Sequence, residues 1–114
     1  MLPAPPAEPT LTPAMHLILL ALLGGDRHGY AIMQAIESLT DGGTRLGPGT
    51  LYGSIKKMID AGLIEETGER PDPQQDDERR RYYRISGQGR KAVIAETERL
   101  DRLVSYARPY LRAV

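Results

Sequence analysis

The chain reads as a mainly α fold with a small β-hairpin, and three observations carry that reading. Three segments before Gly62 keep helical apolar spacing and are separated by turn residues. After Gly62 the pattern switches to period two in two short runs that flank a polar stretch broken by prolines. A final segment then returns to helical spacing, with apolar residues at alternating steps of four and three. At 114 residues the chain is one domain with a modest core, a size that gains from a partner.

Residues 1–11 carry prolines at 3, 5, 6 and 9 and read as an extended, flexible arm. Thr12 and Pro13 supply a cap and a first-turn proline for a helix from Ala14 to about Leu23. That helix is apolar on nearly every side (Met15, Leu17, Ile18, Leu19, Leu20, Leu22, Leu23), so its own domain and a partner's helix are expected to cover it. Gly24-Gly25 stop it, and Asp26 is placed to cap the second helix. That helix runs from about His28 to Thr40 with Ile32, Ala35, Ile36 and Leu39 inward. Asp41-Gly42-Gly43 is a turn, and Thr44 to Leu46 leave room only for a short strand.

The third helix is the stretch LGPGTLYGSIKKMIDAGL, residues 46–63. Pro48 suits its first turn and Gly62 its end. Leu51, Ile55, Met58 and Ile59 fall on one apolar stripe. The opposite face carries Gly49, Thr50, Gly53, Lys56, Lys57 and Asp60, with Tyr52 and Ser54 on its borders. A thin, mildly basic face of this kind can approach a DNA groove closely; the alternative is an ordinary solvated face. Leu63 to Thr67 and Arg79 to Ser86 are the two strands of the hairpin, and GERPDPQQDDE between them is its long tip. Ser86 opens a last helix to roughly Arg108, where Pro109 is expected to disturb it. In it Val93, Thr97, Leu100, Val104, Ala107 and Leu111 form a heptad-like seam suited to pairing with a second copy, the alternative being packing on its own domain.

Three helices, a short strand and a two-stranded hairpin make the winged helix-turn-helix order. The domain organisation accords with this: an arm at 1–11, a winged helix domain at 12–86, and a dimerisation helix and tail at 87–114. HGYAI at 28–32, PGTLYGSIKKMIDAGLIE at 48–65 and RRYYRISGQGR at 80–90 resemble, in order, the three signature blocks of PadR-type transcriptional regulators. That resemblance implies a dimeric DNA-binding repressor, released from its operator by a small-molecule effector, that dimerises through its C-terminal helix. It implies that Pro48, Gly49, Thr50, Leu51 and Tyr52 begin the helix that enters the major groove, and that Tyr82, Tyr83 and Arg84 lie on the second strand of the wing. The chain departs from the pattern at Gly47, where a serine or threonine is usual, and at Gly53, often a proline. Asp72, Asp76, Asp77 and Glu78 make the wing tip acidic and repel phosphate, so Arg79, Arg80 and Arg81 at its base are the better contacts. With no tryptophan or phenylalanine, the capture of flat aromatic drugs known in some members does not carry over.

Fifteen basic and fifteen acidic residues balance, so net charge points to no partner. The distribution is uneven: residues 45–95 hold ten basic and eight acidic side chains, residues 1–44 one and four. Phosphate contacts rather than net charge set sequence-independent affinity, and the relevant cluster is Lys56, Lys57 and Arg79 to Arg81. Zero cysteines and only His16 and His28 leave no Cys-His pair, and a multi-histidine metal site has nothing to build on. His16 reads as a satisfied core histidine, and His28 as a cap or a phosphate contact. No enzyme, cofactor or metal is expected. No secretion signal is seen, and the apolar run 17–23 is too short to span a bilayer, so a cytoplasmic protein with no membrane partner is expected. Two functions are compatible with these residues. One is a homodimeric, sequence-specific regulator on an inverted-repeat duplex operator, read by Pro48, Gly49, Thr50, Tyr52, Gly53, Lys56, Lys57 and Arg79 to Arg81. The other is a winged-helix module that binds protein through the acidic tip.

Overall fold

The computed structural model describes residues 11–68 and 81–112. The arm at 1–10, the wing tip with Arg79 and Arg80, and the last two residues lie outside the described residues. The order is α1 (Pro13–Leu23), β1 (Arg27–His28), α2 (Gly29–Leu39), α3 (Pro48–Asp60), β2 (Ile64–Thr67), β3 (Tyr82–Ile85) and α4 (Gly87–Leu111). It is the helical fold with a small wing sheet that the sequence predicts.

Local chemistry sets most boundaries. The Thr12 hydroxyl accepts from the Met15 N–H at 3.1 Å, and Pro13 fills the first position of α1, where no N–H is needed. α3 starts at Pro48 behind Gly47, which offers no side-chain cap. It stops in a Schellman motif: Leu63 N–H donates to Met58 C=O at 2.9 Å and Gly62 N–H to Ile59 C=O at 3.0 Å. Gly62 sits at φ 77°, a left-handed value open to glycine at little cost.

Several local expectations are corrected. Asp26 does not cap α2; the His28 Nδ1 accepts the Ala31 N–H at 3.2 Å, while Asp26 pairs with Arg84. The third strand comes from Arg27–His28 and not from Thr44 to Leu46. There, the Thr44 N–H is taken by the Thr40 hydroxyl at 3.0 Å, folding the segment back on the end of α2. Leu39 and Ile59, assigned to inner stripes, are 57% and 38% exposed at the edges of their helices. α4 continues through Pro109 to Leu111, because a proline in the last turn forfeits one backbone bond at an exposed site.

The three strands form one antiparallel sheet in the order β1-β3-β2, with Ile64 opposite Ile85 and Thr67 opposite Tyr82 on one side of β3, and Arg27 opposite Tyr83 on the other. The core gathers Ile18, Leu19 and Leu22 of α1, Ile32 and Ile36 of α2, Leu51, Ile55 and Met58 of α3, and Ala92 and Val93 of α4. His16 is not the satisfied histidine expected: its buried Nε2 has no hydrogen-bond partner among the described residues.

Ser86 and Gly89 join α4 to this unit. The Ser86 hydroxyl donates to Gly62 C=O at 2.6 Å and accepts from Gly89 N–H at 3.0 Å, and Ser86 N–H donates to Leu63 C=O at 3.0 Å. A Cβ on Gly89 would overlap the Leu63 carbonyl oxygen and lie 2.8 Å from Ile85 Cγ1. The obstacle is backbone, so α4 itself must shift. Gly89→Ala is therefore expected to cost about 1–3 kcal/mol despite alanine's better helix propensity. A thermal melt should show Tm lowered by roughly 4–8 °C per kcal/mol, and an unchanged or higher Tm would refute the tight seating of α4.

Candidate nucleic-acid interface

α3 is held from behind and open in front. Leu51 and Met58 are wholly buried and Ile55 is 3% exposed, whereas Pro48, Gly49, Thr50, Gly53, Lys56, Lys57 and Asp60 all face solvent. A Cβ on Gly49 or Gly53 would meet nothing within 4 Å, so no packing demand explains either glycine. Gly53, inside the helix, costs on the order of 1 kcal/mol relative to alanine. The bare strip that the two glycines form lies between Thr50 and Lys57 on one side and Tyr52 and Lys56 on the other, as the 3.6-residue repeat dictates.

Tyr52 is half exposed and has a second task. Its hydroxyl and ring edge lie over Gly29, where any Cβ would overlap them. Gly29 is also buried at the first position of α2. The HGY block and the LYG block are thus in direct contact. Beside them Tyr30 is 60% exposed on the same end of α2. Sequence reasoning assigned Tyr30 no role, since one tyrosine after a helix start has no distinguishing pattern.

The wing is anchored on its β1 side. His28, besides capping α2, meets the Tyr82 ring edge-on with centroids 5.3 Å apart. Arg84 reaches across to Asp26, with Nη2 donating to Oδ2 at 2.9 Å and Nε shared between Oδ2 at 3.2 Å and Oδ1 at 3.3 Å. Tyr82 and Tyr83 are 7% and 5% exposed and serve the core. Burial, and then the charge of Glu66, push the Tyr83 phenol above its ordinary pKa, so it stays neutral. Arg81 precedes β3, exposed, with Nη1 3.7 Å from Glu66 Oε2 across the hairpin. A weak exposed pair of this kind is readily exchanged for a phosphate.

Of the seam on α4, Val93 does not belong to an outer surface. It is 5% exposed within the protomer's own core, because the first turns of α4 are drawn in at Gly89. Thr97, Leu100 and Val104 are exposed and Ala107 is half-buried, and Leu103, Tyr106, Tyr110 and Leu111 beside them are 55–72% exposed. Among the described residues no group of three or more His, Asp or Glu side chains could hold a metal ion. No helix among them is long and apolar enough to cross a membrane.

A three-helix core, a helix with one open face and a wing beside it define a winged helix-turn-helix protein. The chain belongs to the transcriptional regulator PadR-like family, whose model matches residues 18–95. That is a family of regulators and not of enzymes. The chain is similar to a 37.1 kDa transposon protein of Streptomyces fradiae, 36% identical over 90 residues; the match takes in 79% of this chain and 24% of that protein, so the chain spans about a quarter of its curated relative. Among solved structures it is similar to a transcriptional regulator from Clostridium thermocellum, with 26% identity, a TM-score of 0.68, and coverage of 85% of this chain and 88% of that one. It also shares its fold with Bacillus subtilis PadR in complex with operator DNA, at 18% identity and a TM-score of 0.58, over 72% of this chain and 45% of that one.

Proposed function

We propose that the protein is a sequence-specific, duplex-DNA-binding transcriptional repressor that acts in the cytoplasm as a homodimer and answers to a small-molecule effector. The observation that carries the DNA reading is the outer face of α3, which is exposed along its length and whose two glycines have no role within the fold. In this reading Thr50 and Tyr52, near the helix start, meet base edges or positioning phosphates, and Lys56 and Lys57 meet phosphate. Gly49 and Gly53 let the backbone sink into the groove. Arg81, just before β3, and Arg79 and Arg80, which precede it in the chain, add further phosphate contacts.

The dimer reading is supported by α4. From Ile94 onward its apolar residues have little cover from the protomer, and helical stability comes mostly from packing such a face against another element. The mixed seam of Thr97, Leu100, Val104 and Ala107, without Val93, is what a second copy would cover.

The test is direct. Bound sequences are selected from random duplexes, and the winner is titrated at two salt concentrations. Lys56→Ala with Lys57→Ala is expected to weaken binding to all duplexes and to flatten the salt dependence by about one unit of slope for each phosphate no longer neutralised. Unchanged affinity at both salts would mean that this face does not meet DNA.

A further inference from the structure

Behind the DNA-facing side, α1 and α2 leave between them a groove of about 480 Å³, within the size range of small-molecule sites. Its floor is apolar, formed by Leu20, Ala31 and Ala35, with Leu39 at the far end and Gln34 on the rim. Arg27 closes the near end. Its Nε donates to the Ala21 carbonyl at 2.9 Å, which fixes the guanidinium against the last turn of α1 and leaves both terminal nitrogens outside that bond. Gly24 makes room for it: a Cβ there would lie 3.1 Å from Nη2, although Gly24 has a right-handed helical backbone that any residue adopts.

Arg27 has no carboxylate partner among the described residues, and its neighbour Asp26 is committed to Arg84. A half-buried guanidinium without a counter-ion, at the mouth of an apolar groove, is matched by a carboxylate that brings its own apolar body. The far end has the opposite character. A neighbouring hollow that shares Gln34 and Ser38 with the groove is lined by Glu37 and Asp41, and these carboxylates disfavour a second anionic group at that end. We propose that this groove binds a linear monocarboxylate, with its carboxylate on Arg27 and its chain lying along α2 toward Leu39. From Ala31 to Leu39 the helix advances about 12 Å at 1.5 Å per residue, which suits an extended eight-carbon acid.

The site also has a route to the other side of the molecule. α2 packs on α3, and Arg27 lies on β1, which pairs with β3 of the wing. A chain wedged between α1 and α2 bears on both. As an effector site the groove rests on the regulator proposed for this chain; as a binding site it does not.

Octanoate is the probe, titrated below its micelle concentration into the DNA-free protein by calorimetry, with octylamine as the charge-reversed control. Octanoate is expected to bind and octylamine not. Arg27→Gln should lose affinity by about tenfold to a hundredfold, the worth of a charge-assisted hydrogen bond. Ser38→Trp, at an exposed position on the groove wall, should block the site in a protein of unchanged Tm, which guards against misfolding of the arginine variant. No binding of octanoate, or equal binding by wild type and both variants, overturns the site. The same samples titrated with selected duplex read the regulator separately: octanoate bound at Arg27 by a protein that binds no duplex would sink the regulator reading and leave the groove standing.

Discussion

Leu100→Asp is expected to convert the proposed dimer into folded monomers. Leu100 sits in the middle of the outer part of α4, 36% exposed in the protomer and outside the main core cluster. The substitution therefore leaves the winged helix unit with its packing intact. In a dimer the same side chain lies at the centre of the seam and at the two-fold-related position as well. Removing a buried leucine typically costs about 2–5 kcal/mol, and each aspartate adds an unpaired charge to a desolvated interface. The loss is incurred on both subunits, which exceeds what a short helical interface has to spare. Analytical ultracentrifugation should give half the wild-type mass, with a circular dichroism spectrum that keeps α1 to α3 but loses part of the signal of α4. DNA binding should fall to that of a single head. A mutant of full dimer mass would place the interface elsewhere, with Tyr106 and Tyr110, whose rings lie 5.4 Å apart on a neighbouring strip of α4, the next surface to test.

What could be read from the residues was what is local. Thr12-Pro13 opens α1 and Pro48 to Gly62 bound α3 through caps and turns whose partners lie within five residues, so spacing alone reveals them. The hairpin was legible because two short runs of extended-type residues flank a proline-broken polar stretch, and its register needs only the pairing of neighbours. The exposed face of α3 follows from the 3.6-residue repeat in the same way. The features that escaped are set by distant partners. Arg27–His28 is a strand only because β3 lies beside it, and two residues carry no periodicity. Asp26 looked like a cap because its true partner, Arg84, is 58 residues away. Val93 fell on the seam by spacing, but the absence of a side chain at Gly89 draws the start of α4 into the protomer, and nothing in a heptad count records that. For the candidate site this means that its residues were identifiable one helix at a time. Their buttress, in which Gly29 lies under Tyr52 and His28 against Tyr82, was not.

That buttress bears on the operator. Tyr52 seated on Gly29, the His28 cap and the Asp26–Arg84 pair tie α3 to β1 and β3 of its own protomer, so in the proposed dimer the separation of the two α3 helices would be set by the subunit interface. Two helices related by a dyad enter successive major grooves on one side of a duplex only if the half-sites lie about one helical turn apart, roughly 10–10.5 bp. The operator is accordingly expected to be an inverted repeat with a fixed spacer. Adding or removing about half a turn puts the second half-site on the far side of the helix, and a dimer of fixed separation cannot follow it. Specific affinity should then fall at least about a thousandfold, toward the protein's affinity for random duplex, while that non-specific binding stays intact. Gel-shift titrations across a spacer series give the measurement. A sharp optimum one turn apart, recovering partly at two turns, is the expected profile. Equal affinity at every spacing would sink the two-headed reading, because it would show that each head binds without regard to the other.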